Sequence, residues 1–557
     1  MLKKLSKLLP VFLILVVGIL ASRTLFKNNF YWNMHDDLQM MRQLEMEKCF
    51  QGAQIPCRWV PDMGYGYGFP LFNYYPPLPY LVGEIFRIVG VNFNNTVKLT
   101  FALGIVASGF TMFFLAGEFF DSWGALLSAV FYVWAPYRAV DVYVRGAQNE
   151  SWSWIWFPLI LLFSYRLIKS KKTTHLILFA LTLAALLLSH NIMLMIFAPV
   201  LAVWIIFWLL RFKAFSIIPK LFVSGLLSLC LSAFFTLPAV FEQKYVHINS
   251  LVSDYFQYWA HYATLNQLFI SRFWGDGPSV FGPNDGMAFP VGHFHWILGL
   301  IISIWLLVKI IRKKKFITVD YIAVFGVLVG LMGAFMSHER STFIWKAIPI
   351  LAFVQFPWRF LSLSVLGLSL AAGYLLEITK KFRILIFAVV SLGLIIFNWN
   401  YFKPVHSGPI TDAAKFSGEA WRIQQQAGIR DYLPITAVMD PNQARSVLAE
   451  VFSGNAKISN SKSGTNWASI TTLSTPGESI IRFNIFNYPV WRAFIDGKET
   501  HIFMDKSEQW GRIYITVPAG SHVVSLKLYN TPLRTITNII SLLSLAGIVF
   551  YYAKKVK

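Results

Sequence analysis

Residues 192–210 read IMLMIFAPVLAVWIIFWLL, an apolar run without a charged residue that ends at Arg211. A helix of roughly 20 apolar residues is long enough to cross the hydrocarbon core of a bilayer. Similar runs recur along most of the chain, which is 56% hydrophobic and only 14% charged. A soluble domain carries about 25% charged residues. The sequence therefore predicts an α-helical polytopic membrane protein.

About twelve such segments are predicted to cross the membrane as helices. One further apolar stretch, PPLPYLVGEIFRIVG at residues 76–90, is short, begins with prolines and carries Glu84 and Arg87. We expect it to lie at the membrane surface as an interfacial or re-entrant helix, with its charges at head-group level. The predicted spans are residues 8–26, 97–117, 123–141, 152–168, 175–190, 192–211, 217–240, 293–311, 318–336, 358–378, 384–400 and 533–553.

The net charge is +22, and the lysines and arginines stand in short clusters beside apolar runs. This pattern is typical of the positive-inside orientation of membrane proteins, so the charge does not indicate a nucleic-acid partner. With clusters such as Arg166 to Lys172 and Arg312 to Lys315 inside, both termini are cytoplasmic and the chain lies in the cytoplasmic (plasma) membrane. The predicted outer segments are residues 27–96, 142–151, 241–292, 337–357 and 401–532.

The last outer segment differs from the rest of the chain in its pattern. Apolar and polar residues alternate with period two from Ile481 to Ile485, as in a strand with one buried face. Asp496-Gly497 between apolar runs predicts a hairpin turn. We therefore expect an extracytoplasmic β-sandwich at residues 401–532. It follows a multi-span membrane domain at residues 1–400 and precedes a final span with a basic cytoplasmic tail at residues 533–557.

Two of the three cysteines, Cys49 and Cys57, lie in the first long outer loop. Outside the cytoplasm two thiols can form a disulfide, and two free thiols are an equal alternative. Cys230 lies within an apolar run, where packing explains it.

The first outer loop opens with Met34-His35-Asp36-Asp37. Two adjacent carboxylates at a membrane surface could act as the general base for a hydroxyl nucleophile, or could hold a divalent metal such as Mg²⁺ or Mn²⁺. His35 beside them could contact substrate. Asp36 could equally be the N-cap of the helix that the following residues predict. Spacing alone does not separate these interpretations.

Further along the same loop, residues 58–70 read RWVPDMGYGYGFP and residues 73–77 read NYYPP. Glycines at alternate positions allow close approach of the backbone, and aromatic rings offer flat faces on which sugar rings can stack. The density of proline and glycine argues for one fixed loop shape, which favours substrate binding by Arg58, Trp59 and Tyr74. The alternative is an interfacial aromatic belt.

Other polar residues stand at the predicted outer ends of spans. In the loop YVRGAQNE, Arg145 could bind phosphate oxygens and Glu150 could be an acid, a base or a metal ligand. His190 at an outer turn, and Trp358 with Arg359 in QFPWRF, could likewise contact a lipid phosphate and its sugar. The alternatives are ordinary polar caps of span ends and a snorkelling arginine with an aromatic anchor.

The HDD motif, RWVPDMGYGYGFPLFNYYPPLPY, YVRGAQNE and QFPWRF together resemble the bacterial and archaeal membrane family called 6-pyruvoyl-tetrahydropterin synthase-related. The resemblance covers roughly residues 1–400 and does not extend to the soluble pterin enzyme of that name. The family is similar in turn to GT-C glycosyltransferases, multi-span enzymes that take a sugar from a polyprenyl phosphate on the outer face. NYPVWRAFIDGK and VPAGSH look like the C-terminal domain of related multi-span proteins.

The resemblance implies an inverting glycosyltransferase with a GT-C-like membrane domain and a polyprenyl-phosphate-linked sugar donor. In GT-C enzymes one member of an acidic pair in the first outer loop is a base or metal ligand, and Asp36 and Asp37 match that position in kind. Glu150 is the third catalytic candidate, and Arg145 and Arg359 would steady the departing phosphate. The acceptor, a glycan, lipid or protein, is not specified. The alternative is a non-enzymatic membrane protein that binds or organises cell-envelope glycopolymers.

Overall fold

The structure, a computed structural model, describes residues 2–27, 30–282 and 284–556. It is mostly helical, with a β-rich region near the C-terminus. In this part of the chain nine helices are long and apolar enough to cross a membrane, and each coincides with a predicted span. The nine helices are Phe93–Ala116, Gln148–Ser170, Asn191–Phe212, Phe215–Phe241, His293–Ile311, Thr318–Met336, Pro357–Ile378, Lys380–Tyr401 and Pro532–Lys555.

Three shorter apolar helices coincide with the remaining predicted segments. The middle one ends at Val133, earlier than the span predicted at residues 123–141. The reason is Pro136: the preceding residue, Ala135, has an extended backbone, because proline disfavours helical geometry in the residue before it. The count of about twelve spans stays a prediction. The three shorter helices are Leu8–Ala21, Ser122–Val133 and Thr173–Ser189.

The chain divides into two compact units. The first unit comprises residues 1–39, 94–228 and 252–410, and the second comprises residues 40–93, 229–251 and 411–557. The first long loop is therefore shared: its opening residues, with the acidic pair, belong to the first unit, and the rest belongs to the second.

In the first unit, a short antiparallel strand pair joins the start of the first loop to the segment that follows the helix Lys380–Tyr401. Strand β1 (Phe30–Trp32) pairs with strand β2 (Ser407–Pro409). Trp32 is buried, and its Nε1 donates a hydrogen bond to the Val142 carbonyl oxygen at 3.1 Å. These contacts fix the backbone that leads into the acidic pair.

The β-rich region of the second unit contains two antiparallel sheets. Its strands are β3 (Ala449–Ser453), β4 (Ala456–Ser463), β5 (Trp467–Ser474), β6 (Ser479–Phe486), β7 (Trp491–Ile495), β8 (Lys498–Thr500), β9 (Arg512–Val517) and β10 (Gly520–Leu528). One sheet has the order β4-β5-β10-β7-β8, and the other has the order β3-β6-β9. Strands β7 and β8 form the hairpin predicted at Asp496-Gly497, with Ile495 opposite Lys498.

Both sheets contribute to one apolar core. The prediction that alternate residues face inward is confirmed, since Ile481 and Phe483 in β6 and Ile513 and Ile515 in β9 are each 0% exposed. Trp59 of the first loop lies in the same core. The aromatic content of that loop is therefore explained by packing onto the β-rich region.

The glycine-rich stretch of the first loop has a backbone that requires glycine. Gly64 and Gly68 have φ angles of 63° and 85°, which side chains other than glycine rarely adopt. A Cβ on Gly68 would lie 2.5 Å from the Trp59 indole, and a Cβ on Gly64 would lie 2.8 Å from the Phe486 ring. The fixed shape of this stretch is thus a condition of its packing.

A disulfide joins Cys49 and Cys57, which decides between the two alternatives that the sequence left open. Cys49 lies near the end of the helix Gln39–Gln51. Within the loop that the bridge closes, the Gln54 side chain donates to the Trp59 carbonyl oxygen at 3.0 Å. The bridge holds the loop to the helix, and this hydrogen bond holds the following residues to the loop.

The stretch at residues 76–90 forms the helix Leu78–Ile88, whose 11 residues are too few to cross a bilayer. Glu84 is buried and accepts a hydrogen bond from the amide of Gln43. Ile88 on the same helix is exposed. An interfacial position for this helix stays a prediction.

Candidate functional site

The acidic pair lies in a turn just before the helix Gln39–Gln51, and both carboxylates are half-buried. Backbone hydrogen bonds connect it to the second polar loop of the same unit. The amide of His35 donates to the Val144 carbonyl at 3.1 Å, and the amide of Asp36 donates to the Arg145 carbonyl at 2.9 Å. The structure thus brings together two motifs that are far apart in the sequence.

Both carboxylates accept hydrogen bonds from neighbouring side chains. Tyr31 Oη donates to Asp37 Oδ1 at 2.6 Å, and Gln39 Nε2 donates to Asp36 Oδ2 at 2.9 Å. Burial and then the negative charge of Asp37 raise the pKa of Tyr31 well above its usual value, so the tyrosine keeps its proton as the donor. Gln39 Nε2 also donates to the Gly146 carbonyl at 2.8 Å. The two carboxylates are therefore held by different partners.

Arg145 belongs to a buried ion-pair network, which we call the arginine network and which comprises Tyr137, Asp141, Arg145, Glu150 and Arg359. Arg145 Nη1 lies 2.5 Å from Asp141 Oδ1 and 2.8 Å from Glu150 Oε2. Arg359 Nε lies 3.2 Å from the same oxygen of Glu150. Tyr137 Oη donates to the other Glu150 oxygen at 3.1 Å. Three predicted site residues thus converge, with Glu150 as the shared counter-ion.

The arginine network is almost wholly closed to water. Arg145 and Arg359 are 7% and 8% exposed, and Glu150 is 1% exposed. Asp141 is 0% exposed, and Arg145 contacts both Asp141 and Glu150. The network therefore places two arginines and two carboxylates in the interior of the unit, beside the loop that holds the acidic pair.

Trp358 and His190 border this network. The Trp358 ring centroid lies 4.5 Å from the guanidinium carbon of Arg145, and its Nε1 donates to Ser279 Oγ at 3.1 Å. Trp358 is 2% exposed, so its ring packs on the arginine. His190 is close enough to Arg359, Glu150 and Arg145 to interact with their charges.

Asp276 and His406 lie against the acidic-pair motif, although the sequence analysis does not single them out. The Asp276 carbonyl oxygen lies 2.9 Å from His35 Nε2. Its carboxylate lies 2.9 Å from His406 Nδ1 and 3.3 Å from Asn33 Nδ2. Against the effect of burial, these hydrogen bonds lower the pKa of Asp276. Both residues lie in irregular segments, where no periodic signal could have paired them.

The other three predicted site residues belong to the second unit. Arg58 is 4% exposed and donates to the side-chain oxygen of Asn538 at 2.8 Å. Trp59 lies in the apolar core. Tyr74 Oη donates to the Glu242 carbonyl at 2.7 Å. These three side chains are engaged in internal contacts of their own unit.

A second buried ion pair, between Glu242 and Arg534, lies in that unit. Arg534 Nε donates to Glu242 Oε2 and Thr531 Oγ1 donates to Glu242 Oε1, at 2.8 and 2.6 Å. Arg534 Nη2 also donates to Tyr488 Oη at 3.1 Å. Burial and then the charge of Arg534 lower the pKa of Arg58 to about 9. We call this set the Glu242 network.

The protein side chains alone do not form a closed metal site. Among residues 2–27, 30–282 and 284–556, no group of three or more His, Cys, Asp and Glu side chains could hold a metal ion. One oxygen of Asp36 and one of Asp37 already accept hydrogen bonds. Mg²⁺ is often bound by one or two carboxylates together with waters and substrate phosphates. A metal at Asp36 and Asp37 would need such additional ligands.

The sequence profile of the family described as 6-pyruvoyl-tetrahydropterin synthase related domain, membrane protein, matches residues 72–405. The chain belongs to this family. The resemblance drawn from its motifs is thereby confirmed, and the chain is a multi-pass membrane protein. The matched segment contains Arg145, Glu150 and Arg359 and begins after the acidic pair.

No curated protein matches this member of the 6-pyruvoyl-tetrahydropterin synthase-related family. The oligosaccharyltransferase of Archaeoglobus fulgidus in its apo form matches it with 12% identity and a TM-score of 0.41, over 79% of this chain and 61% of that chain. The complex of that enzyme, AglB, with an inhibitory peptide and a dolichol-phosphate matches with 13% identity, a TM-score of 0.41 and the same coverage, 79% and 61%. The complex with Zn and sulfate matches with 16% identity and a TM-score of 0.40, over 72% and 54%. The family member therefore spans about 61% of the length of the first of these chains.

Proposed function

We propose that the protein is a GT-C-type glycosyltransferase that moves a sugar from a polyprenyl phosphate to an acceptor hydroxyl. The observation that carries the proposal is the pair of backbone hydrogen bonds from His35 and Asp36 to the carbonyls of Val144 and Arg145. These bonds join a half-buried acidic pair to a buried network that contains two arginines. A base for the acceptor and two cations that can stabilise a phosphate leaving group then lie in one unit.

The proposed reaction needs one base and one activated donor. Asp36 or Asp37 accepts the proton of the acceptor hydroxyl, whose oxygen forms a bond to the anomeric carbon of the sugar. The bond from that carbon to the phosphate oxygen breaks, and its electron pair leaves with polyprenyl phosphate. Attack from the face opposite the phosphate inverts the anomeric configuration. The phosphate ester supplies the driving force, so no further co-substrate takes part.

In this proposal the buried arginines act through their field. Arg145 and Arg359 favour the negative charge that develops on the departing phosphate, and a preorganised cation in a closed environment is effective in this role. Glu150 positions the two arginines and does not transfer a proton, although the sequence favoured a proton-transfer role. Its carboxylate is 1% exposed and bound to both arginines.

The aromatic stretch of the first loop is proposed to act on substrate indirectly. Trp59 and Tyr74 are 2% and 4% exposed, and Arg58 is 4% exposed. A sugar ring needs an open aromatic face, which these side chains do not offer. We propose that they hold the shape of the loop.

We further propose that about twelve helices cross the cytoplasmic membrane, with both termini inside and the acidic pair outside. Residues 401–532 would then form an extracytoplasmic β-sandwich. The basic clusters support this orientation. In a Cys230→Ser background, a membrane-impermeant thiol reagent applied from outside should modify Asp440→Cys and spare Lys314→Cys. The reverse labelling pattern would contradict both the orientation and an outer-face reaction.

The direct test of function is incubation of the purified protein with a panel of polyprenyl-phosphate sugars. Mass spectrometry should show release of polyprenyl phosphate from at least one donor, by transfer or by hydrolysis. The matched control is the double variant Asp36→Asn/Asp37→Asn, which should leave the same donor intact. A folded wild-type protein that consumes no donor would instead favour the non-enzymatic alternative, a protein that binds or organises cell-envelope glycopolymers.

A divalent metal at the acidic pair is a separate proposal. The same assay after treatment with a chelator should lose activity and regain it with Mg²⁺ or Mn²⁺. Full activity in the chelator would leave Asp36 and Asp37 with the base role alone.

A further inference from the structure

A pocket of about 470 Å³ lies in the first unit at the C-terminal end of the helix Lys380–Tyr401. Because this helix is long and apolar enough to span the membrane and ends at Tyr401, we expect the pocket to lie at the level of the lipid head groups. Its lining combines two cations, two aromatic rings and an amide. The lining residues are Arg272, Trp274, Asn400, Tyr401 and Lys403.

The two cations of the pocket are available for a ligand. Arg272 and Lys403 are exposed, and neither pairs with a carboxylate in the described part of the chain. The guanidinium of Arg272 stacks 3.8 Å from the Phe397 ring centroid and donates to the Phe397 carbonyl at 2.8 Å. This anchoring holds the charge at the pocket edge, and a guanidinium matches the geometry of a phosphate group.

The hydroxyl of Tyr401 belongs to the same cluster as Arg272. Tyr401 is 3% exposed and lines the pocket, and its hydroxyl interacts with the Arg272 guanidinium. Its ring packs edge-on against Trp274 at 5.2 Å, and Trp274 Nε1 donates to the Lys403 carbonyl at 3.1 Å. A phosphate oxygen in the pocket could therefore contact Arg272 and the Tyr401 hydroxyl together.

The pocket differs from the arginine network in the availability of its charges. Arg145 and Arg359 are 7% and 8% exposed and are paired with Glu150. A phosphate could contact them directly only by displacing that carboxylate. Arg272 and Lys403 require no such exchange, so direct contacts to an incoming anion belong to the pocket.

Short stretches of chain join the pocket to the acidic-pair motif. Trp274 is separated by one residue from Asp276, whose carbonyl oxygen lies 2.9 Å from His35 Nε2. Lys403 is followed closely by His406, whose Nδ1 lies 2.9 Å from the Asp276 carboxylate. Both chain segments that line the pocket therefore continue within three residues into Asp276 and His406, which lie against the acidic-pair motif.

The helix that carries the pocket has a large exposed apolar surface, which we expect to face lipid. Most side chains of Lys380–Tyr401 are not buried within the protein, and side chains such as Leu392 and Ile396 are exposed. A ligand with its head group in the pocket could therefore extend an apolar tail along this helix into the bilayer.

We propose that this pocket binds the phosphate group of a polyprenyl phosphate lipid. Arg272 and Lys403 contact the phosphate oxygens, and the Tyr401 hydroxyl donates to one of them. The identification of this lipid as the sugar donor rests on the proposed function, whereas binding of its phosphate group does not require catalysis.

The test is binding to the full chain in detergent micelles, with farnesyl phosphate, farnesol and inorganic phosphate as probes. Farnesyl phosphate should bind, and Arg272→Gln and Lys403→Gln should each raise its Kd by about 10-fold, because each removes a charge-assisted hydrogen bond. Tyr401→Phe should raise the Kd by about 3-fold. The matched control is Arg23→Gln: Arg23 stacks 3.6 Å from the Trp399 ring and donates to the Trp399 carbonyl, but does not line the pocket. Its substitution should leave the Kd unchanged.

The three probes separate the possible sources of the phosphate. Tight binding of farnesyl phosphate with weak binding of inorganic phosphate supports a lipid ligand. Equal binding of both overturns the lipid assignment. Equal binding of farnesol, or wild-type Kd values for both Arg272→Gln and Lys403→Gln in monodisperse protein, overturns the proposal as a whole. Binding of farnesyl phosphate is also measured with Asp36→Asn/Asp37→Asn, which should keep the wild-type Kd. A failure of the proposed reaction then affects only the transfer assay, and a failure of the proposed phosphate site affects the binding assay.

Discussion

Each unit of the protein buries a glutamate against arginine, and the two sites differ in what surrounds the ion pair. In the first unit, Glu150 is shared by Arg145 and Arg359. The loop that carries Arg145 is hydrogen-bonded to a motif with two half-exposed carboxylates. In the second unit, Glu242 binds Arg534 and is enclosed by hydrogen-bonding side chains that are themselves buried.

The difference shows that a buried ion pair by itself does not identify a functional site. Removing one partner of a buried pair is strongly destabilising whether or not the pair has a function. What distinguishes the first unit is the accessible acidic pair beside its network. In the described part of the chain, the hydrogen-bonding side chains around Glu242 are themselves buried. Asn73 donates to Glu242 and is 0% exposed, and Tyr488 accepts from Arg534 and is 2% exposed.

The largest expected effect is on the acidic pair itself. Asp36→Asn and Asp37→Asn, tested separately, should not be equivalent, because Gln39 holds one carboxylate and Tyr31 holds the other. The variant that removes the base should lower the transfer rate by about 10²–10⁴-fold. The other variant should lower the free energy of unfolding by about 1 kcal/mol or less and leave the rate nearly unchanged, since asparagine keeps a cap oxygen.

Initial rates and thermal unfolding of both asparagine variants decide this prediction. If both fold normally and keep full activity, the acidic pair is structural, and the first unit loses the feature that separates it from the second.

The next largest effects are expected when the two buried glutamates are substituted in turn. Glu150→Gln and Glu242→Gln should each lower the free energy of unfolding by about 3–5 kcal/mol, because each leaves a buried arginine without its counter-ion. At a temperature where both variants remain folded, only Glu150→Gln should lower the transfer rate per folded molecule. Equal rates for the two variants would contradict the assignment of the arginine network to the reaction.

Much of the membrane domain follows from local sequence. An uninterrupted apolar run such as residues 192–210 permits few structures other than a spanning helix, and the helix Asn191–Phe212 is found there. The early end at Val133 depends on a single proline, which a hydropathy pattern does not register. The β hairpin at Asp496-Gly497 was predictable because its turn requires those residue types.

The candidate site was only partly predictable. Arg145 and Glu150 were recognisable because polar residues at span ends need partners. Asp141 forms part of the same network but lies inside a segment that the sequence assigned to a span. Asp276 reaches His35 across irregular loops, where only the fold sets the distance. The aromatic stretch around Trp59 shows the converse, since packing onto a β core requires the same residue types as sugar binding.

A smaller effect is expected from a change confined to the second unit. Cys49→Ser with Cys57→Ser should lower the free energy of unfolding by about 2–3 kcal/mol, because the disulfide closes a short loop and restricts the unfolded chain. Transfer per folded molecule should remain at the wild-type level. Denaturant unfolding with and without reductant measures the first effect, and a non-reducing peptide map should contain the linked pair. Two freely alkylated thiols in the native protein would contradict the bridge.

The smallest effect concerns a buried carboxyl without a bound arginine. Glu84 accepts a hydrogen bond from the Gln43 amide, and burial raises its pKa from 4.5 to about 7. The folded protein therefore binds this proton more tightly than the unfolded chain does, so the stabilisation is complete below pH 4.5 and is lost as the pH rises through 7. Between pH 6 and pH 8 the loss should be about 1 kcal/mol, and Glu84→Gln should not show it. Unfolding of wild type and variant across this range measures the difference. A difference that is constant with pH would mean that Glu84 does not change its protonation state across this range.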